Sequence, residues 1–281
     1  MTGRAFHAMG TEWWVAADRD DLLPAAEALV HGLEDHLTRF TPSSALCRLN
    51  SQRRSEDPLL REILAEALRL GDRTGGAFDP TLGRDLVGLG YDRTFTELGV
   101  ASPYFPDLQR RDGQRQVHLT PTGVVLDGPF DVDLGGIGKG WTVDRVHDWL
   151  RSAGARRVLV DGGGDLRGSG QAWPIGVESG GAVSLVDGAI ATSSTRMRRW
   201  RAADGVERHH LLDPRTREPA TSRVEVATVR AATATLADVL ATALIVDPDG
   251  VLPLLGGLGA DALLGDAARR WWVTSNWKEA A

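Results

Sequence analysis

The 281-residue sequence predicts an α+β fold, and three observations carry that expectation. Apolar residues recur at helical spacing in several separate segments. Short β-type runs divided by Gly, Asp and Pro fill the chain between them. The two kinds of segment are interspersed without a regular strand–helix–strand rhythm, which disfavours a parallel α/β sheet.

The elements follow in order. Residues 5–17 are rich in aromatics and Val and read as a strand interrupted at Met9-Gly10-Thr11. Over 20–39, Leu22, Leu23, Ala26, Leu29, Leu33 and Leu37 trace an amphipathic helix. A polar hinge, Thr41-Pro42-Ser43-Ser44, opens a short segment ending at Asn50. A second helix spans 58–73, with Leu60, Ile63, Leu64, Ala67 and Leu68 on one stripe and Gly75-Gly76 behind its C-terminus as breakers. Residues 77–115 read as loops. Segments 116–127 and 130–134 look extended. A helix then starts at Gly138, carrying Val143, Val146, Trp149, Leu150 and Ala153 on one face. Short strands are expected at 157–161, 173–178, 182–186, 197–201 and 225–230, then a helix over 235–246 and a small α/β tail. There is no internal repeat and no low-complexity segment.

Composition narrows the function. With 32 Lys+Arg against 38 Asp+Glu, a net charge of −6 and a pI near 5.7 disfavour nucleic acid and bulk membrane surfaces as partners. The single cysteine, Cys47, excludes an intramolecular disulfide, a Cys-ligated iron–sulfur cluster and a zinc ribbon. No apolar run is long enough to span a bilayer, and residues 1–21 lack a signal-peptide pattern. The chain as written therefore reads as cytoplasmic, or as exported if its N-terminus was trimmed. Glycine is overrepresented at 33 residues, and the glycines cluster.

Common nucleotide motifs fail. Gly162-Gly163-Gly164-Asp165-Leu166-Arg167-Gly168 misses dinucleotide spacing by one residue, and Gly138-Lys139-Gly140 has Gly where a P-loop needs Ser or Thr. Five other clusters remain, each with a functional and a structural reading. In Asp131-Val132-Asp133-Leu134-Gly135-Gly136-Ile137-Gly138-Lys139-Gly140, four glycines lie between a strand and a helix N-terminus; they form either an anion site reinforced by Lys139 or a tight turn. Asp238 and Thr242 at i, i+4 place two hard oxygens on one helix face, suited to part of a Mg²⁺ shell. Alternatively Thr235 and Asp238 form a capping box. His209-His210-Leu211-Leu212-Asp213-Pro214 offers an acid–base histidine or a hairpin end with an Asx turn. Gly76-Ala77-Phe78-Asp79-Pro80-Thr81 is a rigid turn holding an acid or simply a loop, and Val160-Asp161-Gly162-Gly163-Gly164-Asp165 ends a strand in a bulge or a close approach to ligand.

Taken together and in this order, these clusters resemble the ApbE family of FAD:protein FMN transferases. The resemblance runs from MGT at 9–11, through SSALCRLN at 43–50, GAFDPTLG at 76–83, DLGGIGKGWTVDRV at 133–146, VDGGGDL at 160–166, AIATSS at 189–194 and HHLLDPRT at 209–216, to ADVLATAL at 237–244. It implies one ApbE-like domain over 1–281, T-fold-like with a smaller subdomain. It also implies Mg²⁺-dependent cleavage of FAD, with FMN passed to a Thr or Ser hydroxyl of a target flavoprotein and AMP released. On the matching positions it implies Gly136, Asp238 and Thr242 as metal ligands. Met9, Phe40, Ala77, Phe78, Asp79, Asp133, Lys139 and Leu212 are implied as flavin-nucleotide contacts, and His210 and Asp238 as catalytic residues. Phe40 stands where some members carry a stacking Tyr and others an Asn linked to FAD hydrolysis, which favours transfer. Ser194 and Arg217 replace glycines and are expected on surface turns with positive φ. The competing readings are a non-catalytic FAD carrier and an FAD pyrophosphatase releasing AMP and FMN.

Overall fold

The computed structural model describes residues 2–98 and 113–277, and mixes helices and sheets as expected. The chain divides into two units. Met1–Glu34, Ile137–Ser194 and Ser222–Ala281 form the first, and Asp35–Gly136 with Thr195–Thr221 the second.

The first unit is built on an eight-stranded, wholly antiparallel sheet. Its spatial order is Thr2–Ala8, Thr11–Ala17, Val158–Asp161, Asp165–Ser169, Gly188–Ser194, Val226–Ala231, Asp261–Gly265 and Trp271–Val273. The interruption at Met9-Gly10 is a two-residue hairpin loop. Both residues have positive φ, 50° and 71°, as a turn matched to strand twist requires. Strand alternation sorts the core. Val158 and Val160 join Val143, Val146 and Leu150 of the Gly138–Ser152 helix, with Leu23, Ala26 and Val30, on one face. Leu159 and Leu166 point to the other face, into a cluster with Trp173, Val183, Leu185 and Leu263. The Ala234–Val246 helix is buried along most of its length, apolar on nearly every side.

The second unit holds the Ala45–Gln52 and Pro58–Arg73 helices, capped by Ser44 and Asp57 side chains that accept from the Cys47 and Leu60 N–H groups at 2.9 Å each. The segment expected as one extended stretch over 116–127 is a hairpin, Val117–Leu119 with Val124–Leu126, and Arg54–Ser55 adds a third strand. The segment 130–134, also expected as a strand, joins no sheet. Its backbone partners are elsewhere: the Asn50 amide accepts from Val132 N–H at 2.8 Å and donates to its carbonyl at 2.9 Å, and Asp133 N–H donates to the Pro80 carbonyl at 2.8 Å. Part of the 77–115 stretch lies outside the described residues, and its described part includes a short helix, Gly83–Gly88.

Candidate functional site

Met9, Lys139, Asp238 and Thr242 belong to the first unit; Phe40, Ala77, Phe78, Asp79, Asp133, Gly136, His210 and Leu212 belong to the second.

In the first unit a polar seam runs between the Gly138–Ser152 helix and the Asp165–Ser169 strand. Two strand residues advance about 6.7 Å and four helix residues about 6 Å, so alternate strand residues keep step with successive helical turns. Lys139 pairs with Asp165, Asp144 with Arg167 at 3.0 Å, and the His147 ring with the Ser169 hydroxyl at 2.8 Å. Asp165 is fully buried and only its Oδ2 meets the ammonium; Oδ1 has no hydrogen-bond partner. Burying a carboxylate so is costly without its cation.

Asp144 also reaches the next helix. It accepts from the Ala234 N–H at 2.9 Å, the Thr235 N–H at 2.8 Å and the Thr235 hydroxyl at 2.5 Å, an anion at the positive end of the Ala234–Val246 helix. Thr233 is the N-cap, accepting from Leu236 N–H at 3.3 Å. The capping-box reading of Thr235 and Asp238 is thereby overturned, because Thr235 is already served by Asp144. Asp238 is buried instead beneath Gly140, whose N–H donates to its Oδ2 at 3.2 Å. A side chain at Gly140 would come within 2.5 Å of the Ala234 carbonyl and 2.9 Å of the Asp238 Cβ, so this glycine is required for helix–helix approach. One turn on, the Thr242 hydroxyl meets that of Ser193 at 3.2 Å. Met9 N–H donates to Glu34 at 2.5 Å. The Asp161-Gly162-Gly163-Gly164-Asp165 cluster is a hairpin loop. Asp161 accepts from the Gly163 and Gly164 N–H groups at 2.8 and 3.1 Å, and burial raises its pKa against those bonds.

In the second unit Asp133 is fixed from two sides. The Arg39 guanidinium pairs with it at 2.6 Å, and its other oxygen accepts from Gly135 N–H at 2.8 Å. The same guanidinium lies over the Phe40 and Tyr91 rings at 4.2 and 4.6 Å, a double cation–π arrangement. Tyr91 continues to Trp200 at 5.3 Å between ring centroids, and Leu212 is buried in this cluster. Ala77 and Phe78 are buried. Asp79 is turned back on Thr81, accepting from its N–H at 2.8 Å and hydroxyl at 2.6 Å, and lines a hollow with Arg84, Asp85, Phe130 and Arg217.

The two histidines differ in their surroundings. Both ring nitrogens of His209 are engaged, with the Ala220 carbonyl at 3.2 Å and the Leu211 N–H at 3.3 Å, whereas His210 lies just past the Glu207–His209 strand. Asp213 forms the expected Asx turn, accepting from Arg215 N–H at 2.9 Å. Burial would raise its pKa, but its bonds to Arg215 outweigh that and lower it. Arg217 has the expected positive φ, 61°. Ser194 does not: it is a buried strand residue paired with Val226, so the expectation of a surface turn there fails.

Two residues of this framework escape a reading of motifs: Asp144 lies inside the DLGGIGKGWTVDRV stretch with no role of its own marked there, and Arg39 carries no signal beyond its place beside Phe40. Asp165 is marked only as the end of the glycine cluster that starts at Asp161. The metal expectation is compatible in chemistry: Asp238 and Thr242 offer hard oxygens, as Mg²⁺ prefers. Among the described residues no group of three or more His, Cys, Asp or Glu could hold a metal, so such an ion would need backbone or ligand oxygens as well. Among the same residues no helix is long and apolar enough to cross a membrane.

A family model described as the ApbE family matches residues 9–263. The FAD:protein FMN transferase of Vibrio cholerae is 32% identical over 258 residues, covering 82% of this chain and 74% of the relative. That of Treponema pallidum is 31% identical over 268 residues, covering 82% and 72%. The crystal structure of an ApbE protein from Thermotoga maritima aligns with a TM-score of 0.83 at 26% identity, over 98% of this chain and 97% of that one.

Proposed function

The chain belongs to the ApbE family and is a transferase, and from that premise we propose that it moves FMN from FAD to a Thr or Ser hydroxyl of a target flavoprotein, with Mg²⁺, releasing AMP. In this reading the whole chain acts as one transferase domain. The observation that carries it is the buried Asp238 beneath Gly140, with Thr242 one turn on and Lys139 in the adjoining helix turn. A carboxylate so enclosed is a poor choice for a surface cap and a suitable one for a cation.

Asp238, the Thr242 hydroxyl and the Gly136 carbonyl would hold the metal, whose chemistry when bound is to offset phosphate charge. Lys139 holds a phosphate of FAD, exchanging part of its pairing with Asp165 for the ligand. Met9, Phe40, Ala77, Phe78, Asp79, Asp133 and Leu212 contact the flavin nucleotide. Neutral His210 takes the proton of the acceptor hydroxyl as its oxygen bonds to the FMN phosphorus and the pyrophosphate bond to AMP breaks. His209, bonded at both ring nitrogens, is unsuited to that task.

The test is co-expression with flavin-bearing reductases, followed by mass analysis for FMN on a Thr or Ser and by assay of AMP. FMN in solution with unmodified protein would identify a pyrophosphatase instead, and no turnover a carrier.

A further inference from the structure

The Thr195–Arg208 region reverses the charge of the molecule. From 196 to 208 the sequence has five arginines against Asp204 and Glu207, a local net of +3 on a chain of net −6. The local acids are already used. Asp204 is lowered to about 2 by Arg208, which it meets at 2.6 and 2.7 Å, and Glu207 pairs with Arg199 at 2.7 Å. Among the described residues neither Arg198 nor Arg201 pairs with a carboxylate.

The surface is also presented rigidly. Arg199–Arg201 and Glu207–His209 form a two-stranded sheet of their own. Trp200, between the two outward arginines, turns inward and donates to the Leu89 carbonyl at 2.9 Å, so alternation holds Arg199 and Arg201 outward. Beside them Met197 is 65% exposed and Val206 52%. Arginine and methionine around an apolar centre is the composition of protein interfaces. The second strand runs directly into His210.

We infer that this hairpin is the docking surface for the acceptor polypeptide, and that it takes an acidic segment of that partner through Arg198 and Arg201 with Met197 as the apolar contact. The inference rests on the transfer reading only in making the occupant a polypeptide acceptor. An acidic partner would otherwise meet a repelling, net-negative molecule, and a local cationic face supplies steering and register.

The test uses the full chain and two labelled peptides, each with one Thr, flanked by Glu in one and by Gln in the other, followed by fluorescence anisotropy without FAD. The Glu peptide should bind at least 10-fold more tightly, weaken severalfold between 50 and 300 mM salt as screening predicts, and weaken 10-fold or more in Arg198→Glu/Arg201→Glu and by a smaller factor in Arg201→Glu. FAD affinity, read separately, should be unchanged in Arg201→Glu, and the melting temperatures of both variants show whether they fold. Equal binding of the two peptides, no binding of either, or an FAD affinity that falls with peptide affinity would overturn the docking surface. With FAD and Mg²⁺ added, FMN on the Gln peptide as readily as on the Glu peptide would overturn it while leaving transfer intact. Charge-dependent binding with no transfer to any acceptor would leave it standing and remove the transferase reading.

Discussion

The two units hold their polar groups by opposite means. In the first, Lys139, Asp144, Arg167, Asp165 and His147 are fixed by partners remote in sequence, packed between a helix and a strand with little water access. In the second, Asp79 and Asp213 are fixed largely by their own turns, each accepting a backbone N–H two residues on; Asp133 combines such a turn with the remote Arg39, and an aromatic cluster stiffens the surroundings. Remote partners give rigidity but make each group depend on several others. Local turns make Asp79 and Asp213 nearly independent of distant elements. The first arrangement suits charges that must stay put around a phosphate or cation, the second groups that meet an incoming partner.

The sharpest break in that contrast comes from Asp238→Ala. Removing the only charged metal ligand proposed should cost several kcal/mol of charge stabilisation, on the order of 10³-fold in FMN transfer. The Gly140 N–H would lose its acceptor as well, so the variant should melt lower yet still fold. Undiminished transfer would end the metal assignment.

On the second unit's side, His210→Ala should slow transfer by on the order of 10²-fold with FAD binding largely kept, a general base's share. His209→Ala should mainly lower stability, by about 1 kcal/mol for its ring hydrogen bonds, with little effect on rate. Equal rate losses from the two would make the pair structural.

Gly140→Ala probes the coupled side without touching a charge. Its Cβ would be 2.5 Å from the Ala234 carbonyl and 2.9 Å from the Asp238 Cβ, so the two helices must part. Overpacking of this kind costs ~1–3 kcal/mol, and here it should lower transfer as well, by moving Asp238. Chemical denaturation and transfer rates measured together decide this; a rate unchanged at reduced stability would show that the helix spacing does not matter to the chemistry.

The same contrast governs how much could be read from the sequence. Locally determined features were legible: the Pro58–Arg73 helix has its stripe, an Asp57 cap, Pro at its first position and glycines after it, and the Asp213 turn announces itself as Asp-Pro. Features set by distant partners were not. The Asp165–Ser169 and Gly188–Ser194 strands, rich in Asp, Gly, Ala and Ser, have weak strand propensity and exist because neighbours on both sides pair with them. Ser194 looks like a turn residue by the company it keeps, and only its pairing with Val226 makes it strand. The family pattern marked Lys139 and Asp238 from their neighbours in sequence, yet Asp144, inside the same stretch as Lys139, was given no role, because its part in joining two helices through Ala234 and Thr235 and in pairing with Arg167 is set by partners remote in sequence.

The smallest expected effect is a pH dependence confined to the buried seam. His147 is 5% exposed and bonded to Ser169 at 2.8 Å and to Asp148 at 3.1 Å. Burial, the largest influence, lowers its pKa; the Asp148 bond opposes this and nearby Arg167 reinforces it, leaving the net shift downward. The folded protein therefore keeps a neutral imidazole at pH values where an unfolded chain, with a His pKa of about 6.5, already takes up a proton. The stability tied to this group is full above that value, falls as pH drops through it, and levels off once the folded imidazole also protonates. Since other histidines titrate too, the informative quantity is the difference from His147→Gln, which keeps an amide within reach of Ser169 and cannot titrate. Melting temperatures at pH 7.5, 6.5 and 5.5 should fall more steeply for the unaltered protein than for the variant. Parallel curves for unaltered protein and His147→Gln would mean that water reaches the seam and that its rigidity has another origin.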